Sequence, residues 1–121
     1  MARILIIDDD PQILNMLGLT LKLEGHEVVE ALDGKEGLKL YRENPADLVI
    51  TDIIMAETEG IEIIMELQRD FPDVKIIAIS GGGRIEPEEY LYIARTLGVQ
   101  KTFAKPFSLE ELLKAVSELL D

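Results

Sequence analysis

The chain has 121 residues, 47% hydrophobic and 30% charged, which suits one domain with enough Leu, Ile and Val to build its own core. It has no cysteine and one histidine, His26, which excludes a disulfide framework, a thiolate zinc site, cysteine catalysis and a multi-histidine metal centre. Its net charge of −12 has the wrong sign for gripping phosphate backbones, so no nucleic-acid contact by this chain is expected.

From the amino end, Arg3 is followed by only four apolar residues before Asp8-Asp9-Asp10, which is no signal-peptide pattern. Ile4-Leu5-Ile6-Ile7 is a short continuous apolar run of the kind that forms a strand buried on both faces. A helix follows, opened by Pro11, closed at Gly25 and carrying Ile13, Leu14, Leu17 and Leu21 on its inward stripe. It holds the longest uncharged stretch, Pro11 to Leu21, whose 11 residues fall well short of the length of a membrane-spanning helix. Val28-Val29 is a weak strand signal, and a helix is predicted over Asp33 to Asn44. Leu48-Val49-Ile50 is a strand ending at Thr51-Asp52, followed by a helix over Gly60 to Phe71. Val74 to Ile79 is a strand ending at Ser80 and the glycines 81–83, followed by a helix over Pro87 to Leu97. Thr102-Phe103-Ala104 is the last, weak strand, ending at Lys105-Pro106. The final helix opens with the capping-box pair Ser108 and Glu111 and repeats Leu109, Leu112, Leu113, Val116 and Leu120 at helical spacing.

The order is βα five times, which predicts an α/β doubly wound parallel sheet with helices on both faces. In such sheets ligands bind beyond the carboxyl ends of the strands. Four of the five strand ends carry a useful residue: Asp8, Asp9 and Asp10 after the first, Asp52 after the third, Ser80 after the fourth and Lys105 after the fifth. Taken singly, Asp10 before Pro11 reads as a helix cap, Ser80 as a turn hydroxyl and Lys105 as a solvated amine. Together they read as one site. Crowded carboxylates repel unless a cation joins them, and a few oxygen ligands suit Mg2+, which shares its shell with water and phosphate. One carboxylate then serves as nucleophile, forming an aspartyl phosphate.

The segments Ile-Ile-Asp-Asp-Asp-Pro, Leu-Val-Ile-Thr-Asp-Ile-Ile-Met, Ile-Ile-Ala-Ile-Ser and Phe-Ala-Lys-Pro-Phe together resemble the receiver domain of two-component response regulators, over Ala2 to Leu120. That resemblance implies a flavodoxin-like (βα)5 sheet in the order 2-1-3-4-5, with residues 1–121 forming one receiver domain. It implies Asp52 as phosphoacceptor, and Asp8, Asp9, Asp52 and the backbone carbonyl of Ile54 as the Mg2+ site. It further implies Ser80 as switch hydroxyl, Lys105 as phosphoryl contact, and a cis bond between Lys105 and Pro106. The implied donor is a phosphohistidine on a sensor kinase or phosphotransfer protein, replaceable by a small acyl phosphate. With no signal-peptide pattern and no apolar run of membrane length, a soluble, cytoplasmic domain without a membrane partner is expected. Because the chain ends after the fifth helix, the expected output is contact with a downstream protein.

Departures from the family pattern are Ala56, where proline is usual, and Thr102, where many members carry a switching aromatic ring. At Ile54 and Gly82, where related receivers can carry polar side chains that orient an attacking water, this chain has none, so the resemblance implies a long-lived phosphorylated form. Met16, Leu19 and Leu23 form a second apolar strip on the first helix, read either as packing against the fifth helix or as a docking surface. Two rival readings share the architecture. A haloacid-dehalogenase-like phosphohydrolase would use Asp8 as nucleophile and Asp10 as acid, but would need a later acidic motif where Ser80 stands. A flavodoxin-like cofactor module would place a flavin phosphate against three aspartates, which would repel it.

Overall fold

A computed structural model describes residues 2–53, 60–81 and 87–121. Ile54, Ala56, Gly82 and Gly83, all singled out above, lie outside the described residues. The elements are β1 (Arg3–Ile7), α1 (Pro11–Leu23), β2 (Glu27–Ala31), α2 (Gly34–Glu43), β3 (Leu48–Asp52), α3 (Gly60–Asp70), β4 (Ile76–Ser80), α4 (Pro87–Thr96), β5 (Lys101–Ala104) and α5 (Leu109–Leu120). The strands form one parallel sheet in the order β2-β1-β3-β4-β5, the flavodoxin-like arrangement that the resemblance implies.

Alternation along the central strands divides the core in two. Ile4, Ile6, Leu48, Ile50, Ile77 and Ile79 face a layer closed by Leu14, Leu17 and Leu21 of α1 and by Leu112, Ala115 and Val116 of α5. Leu5, Ile7, Val49, Ile76 and Ala78 face the opposite layer, closed by residues of α2, α3 and α4. Each Leu or Ile buried in these layers stabilises the fold by about 1.5–3 kcal/mol relative to exposure. The helices start where local chemistry starts them. Asp10 caps α1 by accepting from the Gln12 N–H at 2.9 Å, Asp33 caps α2 at 2.8 Å from the Glu36 N–H, and Ser108 caps α5 at 3.2 Å from the Glu111 N–H. Gly25 ends α1 with φ +93°, a conformation that side-chain-bearing residues rarely adopt.

The second and third helices are joined at their carboxyl ends by Asp70, which accepts from Arg42 at 2.8 Å and from Arg69 at 3.0 Å. Hydrogen bonds from Arg69 and then Arg42 hold the Asp70 carboxyl down at about 2, from an ordinary 3.8. A depressed folded-state pKa contributes stability that is complete above the unfolded value and is lost as pH falls through the folded one. The stability difference between the wild type and Asp70→Asn, followed by urea unfolding, is therefore expected to shrink as pH falls from about 3.8 to about 2. A difference constant over that range would show that Asp70 does not titrate against these arginines.

Candidate functional site

Strand register assembles the site. Asp52 ends β3 with its Cα opposite Ile79, one residue short of Ser80. Ser80 ends β4 opposite Ala104, one residue short of Lys105. On the other side, Ile7 pairs with Thr51, so Asp8 emerges beside Asp52. The residues that the sequence places after separate strands therefore meet at one sheet edge.

Asp8 and Asp52 are 2% and 3% exposed, whereas Asp9 is exposed. One carboxylate oxygen from each of the three lies within 4.8 Å of the others. Asp8 Oδ1 accepts from the Asp10 N–H at 2.9 Å, and its Oδ2 accepts from Lys105 Nζ at 3.2 Å. The same ammonium donates to Asp52 Oδ2 at 2.9 Å. Lys105 thus bridges the two buried acids. Burial raises the Asp8 carboxyl above the ordinary carboxylate range, against the opposing pull of the Asp10 N–H and Lys105. Burial alone would lower Lys105, but its hydrogen bonds and charge contacts with Asp52 and Asp8 outweigh this and hold it above an ordinary lysine. Among the described residues, three carboxylates gather around the Lys105 ammonium, which leaves that group in negative excess. An all-oxygen donor set with excess negative charge fits a hard divalent cation such as Mg2+.

The fourth strand contributes an unsatisfied group. Ser80 is fully buried, and among the described residues its Oγ has no hydrogen-bond partner. A buried hydroxyl without a partner costs about 1–3 kcal/mol, so a native one calls for an explanation. An anionic oxygen entering beside Lys105 and Asp52 would satisfy it. Asp10, by contrast, is engaged as the N-cap of α1, as its place before Pro11 predicts.

Two glycines set the approach of the backbone to this site. A Cβ on Gly81 would overlap the Cβ of Lys105 and crowd its Cγ and Cδ, so the bare backbone makes room for the lysine stem. A Cβ on Gly60 would overlap the backbone of Asp52 and Ile53, against which α3 begins. In the sequence Gly81 stands only as the first of three consecutive glycines. Its particular role depends on a contact with residue 105, which no local pattern reveals. The Lys105–Pro106 peptide is cis, as the resemblance implies. Phe103 packs partly buried against the α1–α5 layer, its ring 6.2 Å from that of Phe107, and Thr102 accepts a hydrogen bond from Arg95 Nη1 at 3.1 Å.

Met16, Leu19 and Leu23 of α1 are 39%, 63% and 81% exposed, so packing against α5 does not account for them. Met16 also lines an apolar groove of about 480 Å3 with Ile13, Gly81, Lys105, Phe107 and Leu109. Lys105 belongs both to this groove and to the acidic cluster. No helix among the described residues is long and apolar enough to cross a membrane.

Comparison with known proteins bears on this geometry. The family model for the response regulator receiver domain matches residues 4–117. The transcriptional regulatory protein GlrR of Escherichia coli is 36% identical over 120 residues, covering 99% of this chain and 26% of GlrR. This chain spans about a quarter to a half of the length of such curated relatives. Among solved structures, a receiver domain protein from Clostridium thermocellum superposes with a TM-score of 0.90 at 30% identity, covering 99% of this chain and 94% of the other. Response regulator TrrA from Thermotoga maritima, solved in complex with Mg2+-BeF, superposes with a TM-score of 0.84 at 32% identity, covering 99% of this chain and 100% of the other. In sequence, fold and the acidic pocket at the carboxyl ends of its strands, the chain belongs to the response regulator receiver domain family of two-component systems.

Proposed function

We propose that this chain is a phosphorylation-dependent signalling switch, a single receiver domain over residues 1–121 that accepts a phosphoryl group on Asp52. The observation that carries the reading is the meeting of Asp8, Asp9 and Asp52 with the bridging Lys105 and with the Ser80 hydroxyl, which has no hydrogen-bond partner among the described residues, at one edge. Asp8, Asp9 and Asp52 would hold Mg2+, with the backbone carbonyl of Ile54, outside the described residues, as a further ligand. When bound, the ion supplies charge neutralisation of the phosphoryl oxygens.

The chain's own residues do the rest. An oxygen of the Asp52 carboxylate attacks the phosphorus as the bond to the donor imidazole breaks. The Lys105 ammonium, already 2.9 Å from Asp52 Oδ2, exchanges carboxylate contacts for a phosphoryl oxygen. The Ser80 hydroxyl donates to another phosphoryl oxygen, drawing the end of β4 toward the site. That movement changes an outer surface, which a downstream protein reads. The signal is relayed by protein contact in the cytoplasm, without nucleic acid or membrane contact by this chain. The domain is a signalling phosphoacceptor that catalyses its own phosphotransfer and its slow dephosphorylation. The dehalogenase-like rival has less support, since it needs Asp10 as an acid and Asp10 is committed to capping α1.

The donor is a phosphohistidine on a sensor kinase or a phosphotransfer protein, docked on the apolar strip of α1 and the adjoining groove. Leu19 is largely exposed, so Leu19→Ser leaves the core intact. It is expected to slow transfer from a cognate phosphohistidine protein by about tenfold, the scale of one interface anchor, and to leave transfer from a small acyl phosphate unchanged. Parallel transfer rates with the two donors check this. Equal slowing with both would reassign Leu19 to structure.

A further inference from the structure

We propose that Thr51 is a positioning residue for Asp52, acting through the backbone of the phosphoacceptor; the inference rests on the assignment of Asp52 made above. Thr51 is fully buried in β3, with Ile7 of β1 and Ala78 of β4 as its lateral neighbours. Both neighbours belong to the apolar layer beneath α2, α3 and α4. Packing there asks only for a small β-branched shape, which valine would supply without a hydroxyl to bury. The hydroxyl has another use. It donates to the backbone carbonyl of Asp52 at 3.0 Å.

The other end of the same peptide is held as well, since the Ile53 N–H donates to the Ile79 carbonyl at 2.9 Å. The Asp52–Ile53 peptide plane is therefore fixed by β4 at its N–H and by Thr51 at its C=O. The next carbonyl, of Ile53, accepts from the Gly60 N–H at 2.8 Å, which completes the exit from the strand. Rotation about the Cα–C bond of Asp52 turns its side chain relative to this plane. Anchoring the plane fixes the direction in which the carboxylate leaves the backbone, and with it the 2.9 Å contact to Lys105. Reactions that depend on in-line attack are sensitive to such small displacements of the nucleophile.

The test compares wild type, Thr51→Val and Thr51→Ser for the rate of phosphoryl uptake on Asp52 from a small acyl phosphate with Mg2+, together with the thermal unfolding of each. Thr51→Val is expected to remain folded at the assay temperature yet to label about three- to tenfold more slowly, the scale of one hydrogen bond. Thr51→Ser, which keeps the hydroxyl, is expected to recover the wild-type rate to within about twofold. A Val variant as fast as wild type would overturn the inference, as would a Ser variant as slow as Val. Should Val fail to fold, Thr51→Ser and Thr51→Ala differ only in the hydroxyl, and equal rates for that pair would overturn it. A wild type that takes no label on Asp52 would overturn the underlying assignment and this inference with it, whereas label on Asp52 that is indifferent to residue 51 overturns the inference alone.

Discussion

Asp52→Asn is expected to abolish phosphorylation by small acyl phosphates while leaving the domain folded. Asn offers no carboxylate to attack phosphorus, and the neighbouring acids are otherwise engaged: Asp8 is tied to Lys105 and to the Asp10 N–H, and Asp10 caps α1. The fold should survive because the amide oxygen of Asn can still accept from Lys105, and because the substitution removes one of three carboxylates packed within 4.8 Å. Lys105 compensates only part of the repulsion among them, so the unfolding midpoint in metal-free buffer should equal or exceed that of the wild type. Intact-mass labelling and thermal unfolding of the same preparation check both halves. Stoichiometric label on another residue of the variant would reassign the acceptor.

Substitutions at Asp9 and Asp10 should separate metal binding from helix capping. Asp9 shares the acidic cluster, whereas Asp10 is spent on the first turn of α1. Asp9→Ala is expected to weaken Mg2+ binding by about tenfold or more, since a Mg2+ site of few carboxylates loses much of its charge with one of them. Asp10→Ala should bind Mg2+ nearly as the wild type does but lose about 1 kcal/mol of stability through the missing cap. Mg2+ titration and urea unfolding of both variants should give opposite rankings. Equal losses of Mg2+ affinity would mean that Asp10 belongs to the metal site.

Much of this architecture is legible in the sequence, for reasons that differ by element. The three central strands, β1, β3 and β4, are buried on both faces, and so stand out as Ile- and Val-rich runs. The weak signals at Val28-Val29 and Thr102–Ala104 belong to β2 and β5, which the order 2-1-3-4-5 places at the sheet edges. An edge strand keeps one flank in solvent, so half-exposed and charged residues such as Glu27, Glu30 and Lys101 dilute its pattern. Val74 marks the limit in the other direction. It is buried, but it precedes β4, because an apolar residue signals burial and not strand conformation.

The chemistry of the site is legible because a parallel sheet sends all its strand ends to one edge, so residues far apart in sequence can be grouped by a local rule. What that rule leaves out is whatever depends on tertiary approach. The space that Gly81 leaves for Lys105, the contact of Gly60 with the backbone after Asp52, and the hydrogen bond of Thr51 to its neighbour's carbonyl all follow from register and packing. The exposed strip of Met16, Leu19 and Leu23 admits two readings in sequence for a related reason. Periodicity shows that a helix has a second apolar face without showing whether anything in the chain covers it.

The central claim, that Asp52 accepts the phosphoryl group, is tested most directly by incubation with Mg2+ and a small acyl phosphate, then borohydride reduction, which converts an aspartyl phosphate to homoserine with release of phosphate, and mapping of the homoserine after proteolysis. Homoserine at position 52 alone, dependent on Mg2+, is the predicted result; homoserine at position 8, or at any acidic position away from this edge, would contradict it.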